Sequence, residues 1–176
     1  MPDLTIQIEP LDQSHDRGVF DCGVPFIDRY IAKRCLSDHE LYKARVYVAR
    51  PEDTQAVIGF YTLSLTSIRP NEPTTEEAEA KFGTWVIPLV YLGQIGVHGE
   101  YRGLKTIGPA LMVHAFERTL QIAELAGTFG LSLDAIDEKR AQWYESIGFT
   151  RYDVEPDGRI KMLCPLTTIR QALTQA

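Results

Sequence analysis

One connection most constrains the fold of this chain, because it joins an apolar strand to a long helix through a segment with two glycines. Residues 88–97, PLVYLGQIGV, predict the strand, and residues 101–112, YRGLKTIGPALM, follow it. The helix is predicted from about Pro109 to Ala126, where apolar side chains recur on one face. Pro109 suits a first helical turn, where its missing N–H costs nothing, and Gly127 suits the helix end.

Further strands and helices are predicted on both sides of this connection. Helical spacing predicts helices at 26–35, 137–149 and 167–176. The acidic stretch 70–85 predicts a solvated excursion with one short helical turn. No repeat or linker interrupts the chain, so we expect one mixed α/β domain, residues 1–176, around one sheet. Alternating or β-branched apolar residues predict the strands, at 4–11, 44–50, 56–68, 128–136, 152–154 and 160–166.

Composition narrows the class of protein. The chain has 176 residues, 44% hydrophobic and 24% charged, which is typical of a globular domain with a core. Its formal net charge of -6 argues against broad nonspecific binding to nucleic acid, which depends on cationic side chains. No segment has the length and apolarity of a membrane span, and the N-terminus lacks a secretion-signal pattern. We therefore expect a cytoplasmic protein.

The cysteines indicate neither a disulfide framework nor a metal site. Cys22, Cys35 and Cys164 form no C-x-x-C pair, and no histidine-rich cluster accompanies them. We expect reduced thiols, with Cys35 and Cys164 in or near the core, and no bound metal.

The connection itself predicts an anion-binding loop. Residues 103–108, GLKTIG, match the glycine spacing of a P-loop, but Pro109 and Ala110 stand where that motif needs Lys and Ser or Thr. The dinucleotide fingerprint G-x-G-x-x-G is absent from the sequence as well. What remains is a set of free N–H groups at the positive end of a helix dipole. The alternative is an ordinary glycine-containing turn.

Residues 92–149 resemble the acetyl-CoA-binding half of the GNAT superfamily of N-acetyltransferases. The stretch LGQIGVHGEYRGLKTIGPALM resembles its strand, pyrophosphate loop and helix, and DEKRAQWYESIGF resembles its later tyrosine-bearing helix. The second match rests on Ala141, Tyr144, Gly148 and Phe149. The resemblance implies a GNAT fold, a single mixed and mostly antiparallel central sheet flanked by helices.

Other stretches are similar to the acetyltransferase toxins of bacterial type II toxin–antitoxin pairs. They are FDCGVPFIDRYI, GFYTLSLTSI, IPLVYLGQIGV and MLCPLTTIRQAL, so the matches cover most of the chain. This resemblance implies acetyl-CoA as cosubstrate without a metal, and the α-amino group of aminoacyl-tRNA as acceptor. It also implies an antitoxin with a ribbon-helix-helix domain and a homodimeric assembly.

The resemblance also implies where the coenzyme binds. Backbone groups of Ile95, Gly96 and Val97 pair with the pantetheine arm, and an N–H near Val97 polarises the acetyl carbonyl. The family loop usually reads Q-G-R-G-x-G; the loop here is one residue longer, which predicts weaker coenzyme affinity. The pyrophosphate is held by Arg102 and by the loop Gly103, Leu104, Lys105, Thr106, Ile107 and Gly108.

Tyr144 is the predicted general acid. By the resemblance it lies beside the sulfur, and a phenol with an unperturbed pKa of about 10 is protonated at neutral pH. The alternative is that Tyr144 and Trp143 only pack the short helix. Glu100, Asp137 and Glu145 are candidate general bases, but an α-amine with a pKa of about 8 or below needs no base stronger than water.

For an RNA acceptor, Arg29, Lys33 and Arg34 are predicted to share a cationic face of the first helix. The alternative is an ordinary solvated face. His98 and His114 are assigned packing or surface roles without chemistry. Arg45, Arg50 and Arg69 extend the cationic face if the neighbouring strands lie beside that helix.

Two other functions stay open from the sequence. One is a GNAT enzyme that acts on a protein or a small amine, which an acidic surface attracts. The other is a degenerate GNAT domain that only binds, which the lengthened loop favours.

Overall fold

Seven strands form one sheet in the computed structural model, which describes residues 4–175. The sheet order is β1-β2-β3-β4-β5-β7-β6. Among the pairings that the structure details, β4 with β5 is parallel and the others are antiparallel. The expected mixed, mostly antiparallel sheet is confirmed. The strands are β1 Ile6–Pro10, β2 Arg45–Pro51, β3 Gly59–Ile68, β4 Ile87–Val97, β5 Gly130–Ala135, β6 Thr150–Val154 and β7 Ile160–Pro165.

Seven helices connect or flank these strands in the described part of the chain. The first predicted helix is divided at Arg34, whose φ of -121° departs from helical values. The long helix starts at Ile107, so Pro109 lies in its first turn, as expected. None of the helices of residues 4–175 is long and apolar enough to cross a membrane. The helices are α1 Pro25–Lys33, α2 Cys35–Glu40, α3 Glu76–Phe82, α4 Gly99–Arg102, α5 Ile107–Leu125, α6 Glu138–Ser146 and α7 Leu166–Thr174.

The chain folds into two compact units. The first comprises the chain up to residue 64 together with 93–115, and the second comprises 65–92 together with the chain from 116 onward. Each unit is described below by itself. The interpretation of residues 1–176 as one domain stays a prediction, and its ends, 1–3 and 176, lie outside the described residues.

In the first unit, α1 and α2 pack their apolar faces against β2 and β3. Phe20 and Phe60 meet edge to face with ring centroids 5.3 Å apart. The Cys35 thiol is fully buried and donates to the Ile31 carbonyl at 2.9 Å. The buried core of this unit consists of Leu11, Phe20, Cys22, Ile27, Ile31, Cys35, Val46, Val48, Val57 and Phe60.

In the second unit, α3 belongs to the core. Its N-cap residue Thr75 accepts a hydrogen bond from the Ala78 N–H, and Ala78 is fully buried. The helical turn expected within 70–85 is therefore present, but the stretch is anchored and not wholly solvated. The core here consists of Ile68, Ala78, Ile87, Leu89, Phe129 and Leu163, with Phe82 and Tyr152 packed against it.

Gly130 of β5 provides a test of this packing. A Cβ on residue 130 would lie 2.1 Å from the Cys164 carbonyl oxygen, so Gly130→Ala forces the paired strand β7 to shift. We expect the free energy of unfolding to fall by about 1–3 kcal/mol, as for other overpacked cores. Urea denaturation measures the change.

The matched control is Gly127→Ala, because a Cβ on residue 127 meets nothing within 4 Å. This variant should unfold at the same urea concentration as the wild type or at a slightly higher one. Equal midpoints for the two variants would contradict the close approach of Gly130 to β7.

Candidate functional site

The first turn of α5 presents unpaired backbone donors. The N–H groups of Thr106, Ile107 and Gly108 have no acceptor among residues 4–175, and the first intrahelical bond runs from Ala110 N to Thr106 O at 3.1 Å. Pro109 has no N–H to contribute. Three donors at the positive end of a 19-residue helix form a site that suits an anion.

A lysine, and neither of the two glycines, makes the sharp turn of the loop. Lys105 has a φ of 54°, in the left-handed region, whereas Gly103 has a φ of -64°. A Cβ on Gly103 would meet nothing within 4 Å, and one on Gly108 would lie 3.9 Å from Val97. Neither glycine is therefore required here by a left-handed backbone or by a close contact. The exposed Lys105 ammonium forms no ion pair with the described residues.

Three hydrogen bonds tie the segment before this loop to residues 19–22, which precede α1. The His98 ring donates through Nε2 to the Val19 carbonyl at 3.0 Å, and the Gly99 N–H donates to the Asp21 carbonyl at 2.8 Å. The Arg102 guanidinium donates to the Cys22 carbonyl. His98 also caps α4, since its Nδ1 accepts from the Glu100 N–H. Its packing role agrees with the sequence analysis.

The second histidine also has a packing environment. His114 of α5 hydrogen-bonds through Nδ1 to the hydroxyl of the buried Tyr61 at 2.6 Å. Its ring meets that of Tyr47 at a centroid distance of 5.1 Å. These contacts attach α5 to β2 and β3 within the first unit.

The last residues of β4 lie beyond its pairing with β5, which runs from Val90 to Leu92. Ile95, Gly96 and Val97 follow this pairing. A Cβ on Gly96 would come within 3.1 Å of Phe20, 3.2 Å of Ile27 and 3.3 Å of Phe60, so packing alone accounts for this glycine.

Gln94 marks an irregularity just before these residues. Its N–H donates to the Thr62 hydroxyl at 3.0 Å. Its Oε1 is buried and has no donor within the described part of the chain. Burial of an acceptor without a donor costs free energy of folding. Such unpaired acceptors are rare in protein interiors, and a ligand's donor would remove the cost.

In the second unit, Tyr144 of α6 is nearly buried, with 5% of its surface exposed. Its ring meets Phe149 at 5.6 Å and Trp143 at 5.1 Å, and Phe149 stacks on Phe116. Burial raises the pKa of the Tyr144 hydroxyl to about 12, so the hydroxyl is protonated and able to donate at neutral pH. Tyr144 thus packs the helix and also keeps its proton.

Gly148 is required by the backbone that follows Tyr144. Its φ is 114°, and a Cβ there would lie 2.7 Å from Thr168 Cγ2 and 3.4 Å from the Cys164 sulfur. The Y-x-x-x-G-F pattern therefore has a conformational cause: the glycine turns the chain so that Phe149 packs on Tyr144.

Two of the three candidate bases have structural partners. Asp137 caps α6 by accepting from the Arg140 N–H at 2.8 Å and also pairs with its guanidinium. The backbone hydrogen bond from Arg140 holds the pKa of Asp137 below its usual value. Glu145 pairs with Arg151. The third candidate base, Glu100, is exposed, and its carboxylate has no partner among the described residues.

The predicted cationic residues divide into two groups. Arg29, Lys33 and Arg34 are exposed and make no ion pair within residues 4–175. Arg50 instead binds Glu9 at 2.6 Å and Gln7 at 2.7 Å, with only 12% of its side chain exposed. Arg50 therefore does not extend the cationic face, because its guanidinium joins β2 to β1.

The other two arginines differ as well. Arg45 donates to the His39 carbonyl at 3.1 Å and lies 5.1 Å from the centre of the Tyr42 ring, so it is engaged locally. Arg69 is exposed and belongs to the second unit, whereas the cations of α1 belong to the first.

The second unit also contains an acidic cavity of about 380 Å³ that the sequence analysis missed. Tyr91 donates to Asp134 there at 3.0 Å, and Lys161 pairs with Glu155 at 3.0 Å. The acidic residues of this cavity come from segments that are distant in the sequence, so no local sequence pattern predicts it. Within the described chain, no group of three or more His, Cys, Asp or Glu is arranged for a metal ion. The charged lining consists of Glu72, Asp134, Asp153, Glu155 and Lys161.

Comparison with known proteins found two informative relatives, whereas no family model matches the chain. The probable toxin TacT of Sinorhizobium fredii (strain NBRC 101917 / NGR234) is 31% identical over 174 residues, which cover 94% of each chain. The tRNA-acetylating toxin of Mycobacterium tuberculosis (strain ATCC 25618 / H37Rv) is 23% identical over 155 residues, 83% of this chain and 85% of the relative.

Solved structures share the fold. A tyrosine-to-phenylalanine mutant of KacT has a TM-score of 0.84 at 23% identity, with 94% of this chain and 98% of that one covered. AtaT complexed with acetyl-methionyl-tRNAfMet has a TM-score of 0.83 at 24% identity, covering 95% and 98%. A tyrosine-to-phenylalanine mutant of AtaT, bound to the C-terminus of the antitoxin AtaR and to acetyl-CoA, has a TM-score of 0.80 at 24% identity, covering 97% and 99%.

Lys105 tests the anion site. Lys105→Gly removes both the ammonium and the cost of the left-handed backbone, so we expect about 1 kcal/mol more stability by urea denaturation. Calorimetry with coenzyme A as the pyrophosphate-bearing probe should show about fivefold weaker binding, because a charge-assisted contact is lost.

Lys105→Ala is the matched variant, since it loses the same charge but keeps a Cβ in the left-handed region. It should bind the probe as weakly as Lys105→Gly without the gain in stability. Wild-type affinity for coenzyme A in both variants would contradict the assignment of Lys105 to the anion site.

Proposed function

This chain belongs to the GNAT family of tRNA-acetylating toxins, and on that premise we propose that it transfers the acetyl group of acetyl-CoA to aminoacyl-tRNA. The observation that carries the proposal is the 31% identity to the TacT toxin over 94% of both chains. The acceptor is the α-amino group, whose nitrogen attacks the thioester carbon as the C–S bond breaks. An acetylated α-amine no longer acts as a nucleophile in peptide-bond formation, so the product blocks translation.

Coenzyme binding is proposed at two places in the first unit. The pyrophosphate lies at the first turn of α5, where the N–H groups of residues 106–108 have no partner in the described chain and Lys105 and Arg102 supply positive charge. The pantetheine arm pairs with the backbone of residues 95–97, beyond the pairing of β4 with β5. The Val97 N–H polarises the acetyl carbonyl as negative charge develops on its oxygen.

Tyr144 is proposed as the general acid. Its hydroxyl keeps its proton because burial raises its pKa to about 12, and it gives that proton to the departing thiolate. The attacking amine loses its own proton to water. No carboxylate base is needed, since an α-amine with a pKa of about 8 or below is substantially neutral at physiological pH. The structural pairing of Asp137 and Glu145 is consistent with this.

Recognition of the RNA is proposed at the exposed cations of α1 and its C-terminal end, Arg29, Lys33 and Arg34. They form no ion pairs in the described structure, so they are available to phosphates although the chain carries a net charge of -6. A few local cations suit a specific acceptor better than a broadly basic surface would, because long-range attraction to other nucleic acids stays weak.

The assembly is proposed from the same family resemblance. We propose a single-domain, cytoplasmic homodimer that an antitoxin with a ribbon-helix-helix domain neutralises. The structural neighbour AtaT binds the C-terminus of its antitoxin AtaR, which supports a dedicated antitoxin for this chain. Analytical ultracentrifugation decides the oligomeric state.

A cationic small amine is a second candidate acceptor, and the acidic cavity of the second unit favours it. Four carboxylates face one lysine in that lining, an arrangement that attracts ammonium groups. Acetylation of spermidine by the wild-type protein, with charged tRNA left unlabelled, would favour this candidate. Coenzyme binding without acetylation of either acceptor would favour a domain that only binds.

The proposed acid is tested with Tyr144→Phe. We expect transfer of radiolabelled acetyl from acetyl-CoA to charged tRNA to fall at least tenfold, because proton transfer to the thiolate is lost. The free energy of unfolding should change by less than about 1 kcal/mol, since the hydroxyl has no hydrogen-bond partner in the described chain. Tyr42→Phe, at a residue 81% exposed, is the control and should keep wild-type rates. An unchanged rate of acetyl transfer in Tyr144→Phe would contradict the assignment of Tyr144 as the general acid.

The pH dependence of transfer gives an independent test. Initial rates at low concentrations of charged tRNA should rise with pH as the α-amine deprotonates, near pH 8 or below. The rate should then stay level to pH 10, because Tyr144 loses its proton only near its raised pKa of about 12. A fall between pH 8 and 10 that persists in Tyr144→Phe would indicate a different acid and contradict the assignment. A fall that Tyr144→Phe abolishes would contradict only the raised pKa of Tyr144.

A further inference from the structure

One face of α1 carries an exposed aromatic ring beside cations. Phe26 is 46% exposed, although Ile27 and Ile31 of the same helix are buried in the core. Arg29 and Lys33 follow Phe26 by three and seven residues, so the three side chains lie on one side of the helix. This aromatic–cationic face, Phe26 with Arg29 and Lys33, points away from the core.

The Phe26 ring has no aromatic or cationic partner within the described residues. No aromatic ring packs against it and no cation lies over it, whereas the exposed Tyr42 has Arg45 over its ring at 5.1 Å. A single exposed phenylalanine is common on protein surfaces. Its position beside two unpaired cations is what points to a ligand.

The same face holds no competing acid. Asp28 is the acidic residue of α1, and its spacing from Phe26 places it on another side of the helix. Its carboxylate accepts the Cys22 N–H at 2.8 Å. The Cys22 carbonyl in turn accepts from Arg102. The turn that carries Phe26 is therefore connected by hydrogen bonds to the loop proposed to hold the coenzyme.

We propose that Phe26 stacks against a base in the single-stranded 3′ end of the aminoacyl-tRNA, while Arg29 and Lys33 contact the adjoining phosphates. An aromatic platform beside cations is the general arrangement by which proteins hold single-stranded nucleic acid. The 3′ end is the segment concerned because it carries the aminoacyl ester whose amine reacts. The inference rests on the proposed function and adds a residue that determines how the acceptor is positioned.

The test compares substitutions of Phe26 in steady-state acetyl transfer to charged tRNA. Phe26→Ala should raise the KM for charged tRNA about tenfold and leave coenzyme affinity unchanged, because one base stack is lost. Phe26→Leu keeps an apolar side chain without a π face and should behave like Phe26→Ala, whereas Phe26→Trp should keep the wild-type KM. Trp85→Ala, at a tryptophan 78% exposed in the second unit, is the control and should leave KM unchanged.

Salt dependence separates stacking from charge. Arg29→Gln should reduce the slope of log KM against log salt by about one, while Phe26→Ala should leave the slope unchanged. A wild-type KM in Phe26→Ala would overturn the inference, as would a wild-type KM in Phe26→Leu, which would indicate a merely apolar contact. Failure of the proposed function is distinguishable, since the wild-type protein would then put no label on charged tRNA.

Discussion

The close approach of α5 to β3 is the constraint on which the proposed coenzyme site depends. Gly59 makes it possible, since a Cβ there would lie 2.9 Å from Ile107 and 3.1 Å from Leu111. Ile107 is buried and is also the first residue of α5, so the packing that fixes it also fixes the unpaired N–H groups beside it. The packing of α5 against β3 therefore fixes the position of the anion site, and the N-terminal end of the same helix supplies its positive partial charge.

The rest of the first unit adds orientation to that position. The hydrogen bonds from residues 98–102 to residues 19–22 tie the coenzyme loop to the entrance of α1. All three acceptors are backbone carbonyls, and the donors are the side chains of His98 and Arg102 and the backbone N–H of Gly99. The aromatic–cationic face of α1 is thereby held by the same loop that presents the anion-binding donors. Binding of acceptor and coenzyme would rest on one connected piece of structure.

Periodicity predicted the strands and long helices well, because each buries one face and the burial shows in the local spacing of apolar residues. Tyr144 was singled out by the family resemblance and not by periodicity, and in the structure its side chain is buried. The bonds between residues 98–102 and 19–22 were missed, since they join segments about 80 residues apart and leave no periodic trace. Gly96 shows a further limit: Phe20 and Phe60, which pack where its side chain would lie, are distant from it in the sequence.

The three cysteines have a consequence for when such an enzyme can work. All are buried, and burial raises the pKa of Cys22 to about 11 and that of Cys164 to about 12, with Cys35 shifted in the same direction. Thiolate, the form that peroxides and electrophiles attack, is therefore scarce at physiological pH. Oxidative stress that inactivates enzymes with exposed thiols would leave these three thiols unmodified, so the arrest of protein synthesis would not depend on the redox state of the cysteines.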